Sequence, residues 1–143
     1  MGKHTVSLET ESAHKDVEII QAGLVKFNRS AVQTDPSDEV VTLNLIVRAD
    51  DGTVTGGLLG RTWWGWLYIN ILWIHADLRG QDLGTQLMQM AEEEGRNRSC
   101  HSVFLDTHDF QALPFYQKLG YETFGELEDF PPGHTRYYLK KRL

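Results

Sequence analysis

The chain has 143 residues, 41% of them hydrophobic and 24% charged, with a formal net charge of −6. That size and balance fit one globular domain, 1–143, and the acidic balance disfavours general nucleic-acid binding despite the basic C-terminal KKRL. The single Cys100 permits no intrachain disulfide, the opening MGKHTVSLETESAHKD is no signal peptide, and no run nears the roughly 20 apolar residues of a membrane span, so a cytoplasmic protein without membrane association is expected.

Val6 to Glu9 alternates apolar and polar residues, a short strand pattern. In SAHKDVEIIQAGLVKFNRSAV, Val17, Ile20, Leu24 and Phe27 share one helical face, with Ser12 or Asp16 as caps and Gly23 as a point where two short helices could part. TDPSDE reads as a loop. Val40 to Val47 is rich in β-branched residues and predicts a strand. Asp51-Gly52 is a hairpin signal, and Val54 to Arg61 is the return strand. Its Gly56, Gly57 and Gly60 imply a bulge or close backbone approach. After a turn over Thr62 to Gly65, Trp66 to His75 completes a three-strand meander.

Leu83 to Arg98 predicts a helix whose apolar face carries Leu83, Leu87, Met90 or Ala91, and Glu94. Ser102 to Asp106 is a continuous apolar strand. Phe110 to Leu119 is a short helix stopped by Gly120. Tyr121 to Leu127 and Thr135 to Lys141 are strands joined by a turn over EDFPPGH. The order predicts a mixed α/β domain. The strand at Trp66, the following helix and the strand at Ser102 form a βαβ unit, so those two strands should run parallel.

The stretch WIHADLRGQDLGT, from Trp73 to Thr85, joins a strand end, a glycine-bearing turn and a helix start. Unpaired N–H groups and a partial positive charge make such a place an anion site, here suited to a diphosphate. Gly80 and Gly84 allow the backbone to come close. A nucleotide-phosphate site is a weaker reading, because the chain has no Gly-Lys-Ser/Thr of a Walker loop.

Three features resemble the GNAT superfamily of acetyl-CoA-dependent N-acetyltransferases. LRGQDLGTQLM at 78–88 is similar to the family's pyrophosphate loop, DFQALPFYQKLGY at 109–121 is similar to its tyrosine-bearing segment, and the element order matches over nearly the whole chain. The resemblance implies a central mixed, mostly antiparallel sheet of about six to seven strands with flanking helices and a splayed parallel pair. It implies acetyl-CoA as co-substrate, with no metal. Backbone groups of Ile74, His75 and Ala76 would meet the pantetheine arm. Arg79, Gly80, Gln81, Asp82, Leu83, Gly84 and Thr85 would bind the diphosphate. Asp82 departs from the family pattern, which has glycine there. Asp tolerates the left-handed backbone better than most residues, or its side chain could cap the helix.

Tyr116 falls at the family's general-acid tyrosine. Amine attack on a thioester releases a thiolate that needs a proton, and a phenol with a pKa of about 10 within reach can give one. The structural alternative makes Tyr116 and Phe115 core residues anchored on Leu119. Asp109 stands where the family often has Asn, and is expected to cap the helix and orient the cofactor arm. The attacking amine must lose a proton. His75 is the titrating candidate for that base, with Asp106, His108 and Glu128 as alternatives.

Trp63, Trp64, Trp66, Tyr68 and Trp73 are core and sheet surface, or walls of an acceptor pocket. Alternation puts Trp64, Trp66 and Tyr68 on one face and Trp63 on the other. DFPPGH at 129–134 is a rigid turn, an acceptor-site element or a dimer contact. Cys100 reads as a buried inert thiol, and His101 and His108 lack metal-site spacing. Acetyl transfer to a primary amine by direct attack in a ternary complex is the leading expectation. A non-catalytic CoA-binding or protein-interaction module on the same fold is the alternative. The acceptor is a small molecule or a peptide, and a homodimer is a candidate assembly.

Overall fold

The structure is a computed structural model and describes residues 2–32 and 39–143. The chain divides into two compact units, 1–34 and 35–143. In the first, α1 spans His14–Ala31 as one unbroken helix through Gly23. Its N-cap is Ala13, with no side-chain cap bond, so neither Ser12 nor Asp16 caps it. Residues 6–9 form no strand; four alternating residues without a ladder partner leave the backbone groups no reason to extend. The loop expected over 34–39 lies outside the described residues except for Glu39.

The second unit is built on a six-stranded sheet in the order β1-β2-β3-β4-β6-β5. Its strands are β1 Val41–Arg48, β2 Val54–Trp63, β3 Trp66–Ile74, β4 Ser102–His108, β5 Glu122–Glu128 and β6 Thr135–Arg142. The helices α2 Leu83–Asn97 and α3 Leu113–Lys118 complete the order. All neighbours pair antiparallel except β3 and β4, which run parallel as the βαβ connection requires. No described helix is long and apolar enough to cross a membrane.

One face of the sheet holds the core. Leu58, Leu67, Val103, Leu105 and Leu139 from the strands and Met88 from α2 are fully buried there. The buried face of α2 is Leu87, Met88, Ala91, Glu92 and Gly95. Met90 is exposed, so Ala91 is the core member of the expected pair. Glu92 is buried in mid-helix because Lys141 Nζ of β6 reaches its carboxylate at 2.6 Å and the Tyr121 hydroxyl donates to it at 3.3 Å.

Two local irregularities set the geometry that matters. The β2–β3 hairpin turns on Trp64 and Gly65, both at positive φ, in a two-residue turn. Trp63 and Trp66 are therefore directly paired and share a face, both packing edge-on against Phe104. Residue-by-residue alternation had separated Trp63 from Trp66, but strand partners across a tight turn lie on the same side.

The second irregularity is a bulge. Leu59 pairs with Ile71 while the next residue, Gly60, pairs with Ile69, so Asn70 is an extra residue in β3. A Cβ on Gly60 would lie 2.5 Å from the Tyr68 carbonyl oxygen, which is why the β2 side of the bulge is glycine. The bulge shifts the side-chain phase of β3. Leu67 and Ile69 enter the core before it, and Leu72 and Ile74 pack there after it.

Candidate functional site

The β3–β4 pairing stops at Ile69 opposite Leu105. Beyond that point β3 follows β2 to Ile74 and β4 follows β6 to His108. A gap opens between two strands that began as neighbours. A cleft of about 640 Å³ occupies it, lined by Ile69 to Ile74, Arg79, Gly84, Asp106, Thr107, Phe110, Gln111, Ala112, Phe115 and Tyr116.

The first wall is the end of β3 and the turn after it. The His75 N–H donates to Thr55 of β2 at 2.8 Å. Strand geometry turns the preceding Ile74 groups the other way, into the gap, where the Ile74 carbonyl accepts a 3.4 Å bond from Arg79 Nε. A short 3₁₀ turn, Ala76–Leu78, follows. His75 caps it: Nδ1 accepts from the Asp77 N–H at 3.2 Å, and the ring packs edge-on against Trp73. His75 does not line the cleft.

Gly80 (φ 82°) and Asp82 (φ 58°, ψ 17°) both adopt the left-handed region. Asp82 thus carries the backbone shape that glycine gives most readily. Its carboxylate makes no cap bond, so the side-chain cap foreseen for it does not form. The helical ladder begins with Gln86 N–H to Asp82 O at 3.0 Å. The amides of Leu83, Gly84 and Thr85 stand ahead of it at the positive end of α2. A Cβ on Gly84 would fall 3.2 Å from Phe115 and 3.6 Å from Ile74, so glycine there lets the start of α2 close onto the cleft. Arg79 adds the neighbouring cation, while Gln81 is solvent-exposed in the same turn.

Tyr116 forms the floor. Pro114 in the first turn starts α3. At its end Gly120 N–H bonds Gln117 O at 3.0 Å and Tyr121 N–H bonds Tyr116 O at 3.1 Å, a Schellman closure with Gly120 at φ 94°. The Tyr116 ring is 6% exposed and belongs to the core cluster, yet it also lines the cleft. Among the described residues its hydroxyl has no protein partner, and no fully buried polar side-chain atom lacks one. The oxygen therefore meets the open cleft. Burial, and then the nearby Asp106 charge, push the phenol up to about 12. It stays protonated across the physiological range: a held proton, though a weaker acid than free tyrosine.

Asp106 reaches the same cleft from the other face. Its neighbours Leu105 and Thr107 are buried on the core side, so alternation turns Asp106 outward. Arg136 grips it through Nε at 2.8 Å and Nη2 at 2.5 Å. The Tyr68 hydroxyl lies 3.3 Å from Asp106 Oδ1 and 3.4 Å from Asn70 Oδ1. Burial first, and then the Asp106 charge, raise the Tyr68 phenol as well.

The rim is a pinned turn. Asp109 does not cap α3, whose N-cap is Ala112 with no side-chain bond. Instead it accepts from His134 Nδ1 at 2.8 Å and from the Thr135 N–H at 3.0 Å, and so ties the 129–134 turn to the cleft. The Thr135 bond is the main cause of its lowered pKa. His108 stacks on Phe110 and Phe130, and Phe110 meets His134 edge-on. Gln111 accepts from the His108 N–H at 2.9 Å. Glu128 lies at the exposed end of β5, away from the cleft lining.

Sequence reasoning passed over Asn70, Arg136 and Phe110. Asn70 had a signal, a lone polar residue in the apolar run WLYINILWI. Arg136 had none, because its pairing with Asp106 depends on β6 lying beside β4. Cys100 is buried, which raises its thiol pKa. No group of three metal-binding side chains converges among the described residues.

Comparison with known proteins identifies the family and the fold. The family described as "Acetyltransferase (GNAT) family" matches residues 18–121, across both units. Acetyltransferase Atu2258 of Agrobacterium fabrum is 37% identical over 94% of this chain and 92% of its own length. A blasticidin-S acetyltransferase of Streptomyces morookaense is 41% identical over 64% of this chain and 68% of its own. A crystal structure of an acetyltransferase from Agrobacterium tumefaciens superposes with a TM-score of 0.90 at 33% identity, covering 98% of this chain and all (100%) of that one. An acetyltransferase from Bacillus cereus gives 0.84 at 30% identity, over 96% and 98%.

Proposed function

The chain belongs to the acetyltransferase (GNAT) family and is an N-acetyltransferase; from that premise we propose that it moves acetyl from acetyl-CoA to a primary amine of a small molecule, by direct attack in a ternary complex. The observation that carries this reading is the cleft at the β3–β4 gap, which gathers the α2 amides, the Ile74 backbone and Tyr116 on one side and Asp106 on the other.

The residues fit acetyl-CoA. The Arg79–Thr85 turn offers, after Arg79, N–H donors that are unpaired among the described residues, together with one cation and a left-handed backbone at Gly80 and Asp82. That set suits a diphosphate. The Ile74 backbone groups face the gap and suit an amide-bearing arm. When bound, acetyl-CoA supplies an acetyl group activated as a thioester. The chain supplies position and proton control. Tyr116 holds its proton at the floor and would give it to the departing sulfur, regaining one from water at the open side of the cleft. Asp106 receives the amine from the outer face and orients it, and the amine's proton leaves by water at the open side. In this reading water takes the amine's proton, the part first assigned to His75, whose ring caps the 3₁₀ turn.

A small-molecule acceptor is supported by the blasticidin-S acetyltransferase relative. The test combines acetyl-CoA calorimetry with thiol release across a panel of amines. Binding heat with turnover of at least one amine is expected. No heat, and no thermal protection at saturating acetyl-CoA, would sink the proposal.

A further inference from the structure

We infer that the outer face of the sheet beside the cleft selects the acceptor, and that it takes an amine whose body is a planar ring bearing an anionic group. This rests on the acetyl-transfer reading and names the substrate class of that same site.

A second cavity, about 420 Å³, lies on this face and is lined by Trp63, Trp64, Trp66, Phe104, Phe124 and Lys140. Its size is that of a small-molecule site. Phe104 sits between two indoles that meet it edge-on, Trp63 at 6.0 Å and Trp66 at 5.8 Å. Phe124 is 53% exposed and Trp64 46% exposed, so ring faces remain uncovered for stacking. Among the described residues none of the three indole N–H groups donates to a protein acceptor. They are free to donate to a carbonyl or carboxylate.

Charge decides the second half. Lys140 stands 5.7 Å over the Phe124 ring and forms no ion pair among the described residues. Arg61 lies 5.3 Å over Trp63 and 5.2 Å over Tyr68. The cavity is thus edged by cations in a chain of net charge −6, which favours an anionic group on the occupant. The same face continues to the reacting end. Phe104 stacks on Tyr68 at 4.7 Å and 26°, and the Tyr68 hydroxyl lies 3.3 Å from Asp106. A ring held among the indoles thus lies on the same face as Asp106, where the amine is oriented.

The test uses three amines and acetyl-CoA: 4-(3-aminopropyl)benzoate, its uncharged analogue 3-phenylpropylamine, and the cyclohexane analogue of the first. kcat/KM should fall about fivefold or more when either the carboxylate or the ring planarity is removed. Lys140→Gln should erase the carboxylate preference, and Phe124→Leu the ring preference. Both should act through acceptor KM, with the KM of acetyl-CoA unmoved. Equal kcat/KM for the three amines, with acetyl transfer intact, overturns the inference and leaves the transferase reading standing. Loss of acetyl-CoA binding heat in the unmodified protein overturns both. A dimer in sedimentation that Phe124→Lys dissociates also overturns it, because a second copy then covers this face.

Discussion

Asp106 and Tyr116 reach one cleft from opposite faces of the sheet, and the Asp106 charge adds to burial in holding the Tyr116 phenol at about 12. The bulge at Asn70 and the end of β3–β4 pairing at Ile69 make this meeting possible. An unbroken sheet would separate the two side chains. Here the gap lets one cavity be lined from both faces, so the Tyr116 side chain and the Asp106 carboxylate line the same cleft.

Tyr116→Phe should lower kcat by about a hundredfold, equivalent to about 2.7 kcal/mol of barrier. The KM of acetyl-CoA should stay within about twofold, because general-acid catalysis contributes to the transition state and not to cofactor binding. Folding should be nearly unchanged, since the hydroxyl bonds to no protein group among the described residues. Steady-state kinetics beside thermal melting checks both halves. An unchanged kcat would return Tyr116 to a purely structural role.

The raised phenol also makes a stability prediction. Its folded pKa, about 12, lies above the ordinary 10.0. Between those values the unfolded chain loses its proton and the folded one keeps it, so the contribution is complete below pH 10 and disappears as pH rises toward 12. A shift of that size corresponds to about 3 kcal/mol. Tyr121 is raised in the same direction, by burial and then by Glu92. Urea unfolding from pH 9 to 12 should therefore show falling stability, with a shallower slope in Tyr116→Phe.

Asp82→Gly should tighten acetyl-CoA binding while leaving the turn intact. Glycine adopts the same left-handed backbone, and the change removes a carboxylate beside the proposed diphosphate site. Asp82→Val should destabilise the turn by about 1–2 kcal/mol, because a β-branched side chain opposes positive φ. Calorimetry with acetyl-CoA and melting of the two variants distinguish the effects.

Lys141→Met should be among the more damaging changes away from the cleft. It strips the charge partner from Glu92, whose side chain is 6% exposed, and costs about 3 kcal/mol. The double variant Glu92→Leu/Lys141→Met should recover most of that loss, since an apolar pair leaves no buried charge behind. Denaturant midpoints of the single and double variants give the comparison.

Asp109→Ala should loosen the 129–134 turn by removing its bonds to His134 and Thr135. Acceptor KM should rise and the KM of acetyl-CoA should not, because the freed turn borders the outer side of the cleft. A rise in the acetyl-CoA KM alone would instead give Asp109 the cofactor-orienting part first expected of it.

The sequence by itself determined the element order from α1 onward, though not the strand expected at 6–9, and with it the parallel pair, the glycine-bearing turn at the start of α2 and the tyrosine helix closed by Gly120. These depend on local periodicity, turn chemistry and capping, which act over a few residues. It also carried the left-handed demand at Asp82 as a departure from a pattern. Tertiary structure decided what faces what. One extra residue at Asn70 reversed the alternation of β3, a two-residue turn put Trp63 and Trp66 on one side, and β6 lying beside β4 delivered Arg136 to Asp106. Each outcome depends on long-range pairing register, which no short window of sequence contains. His75 and Asp106 were both candidate bases in the sequence; His75 caps a local 3₁₀ turn and does not line the cleft, while Asp106 does, where β3 and β4 part.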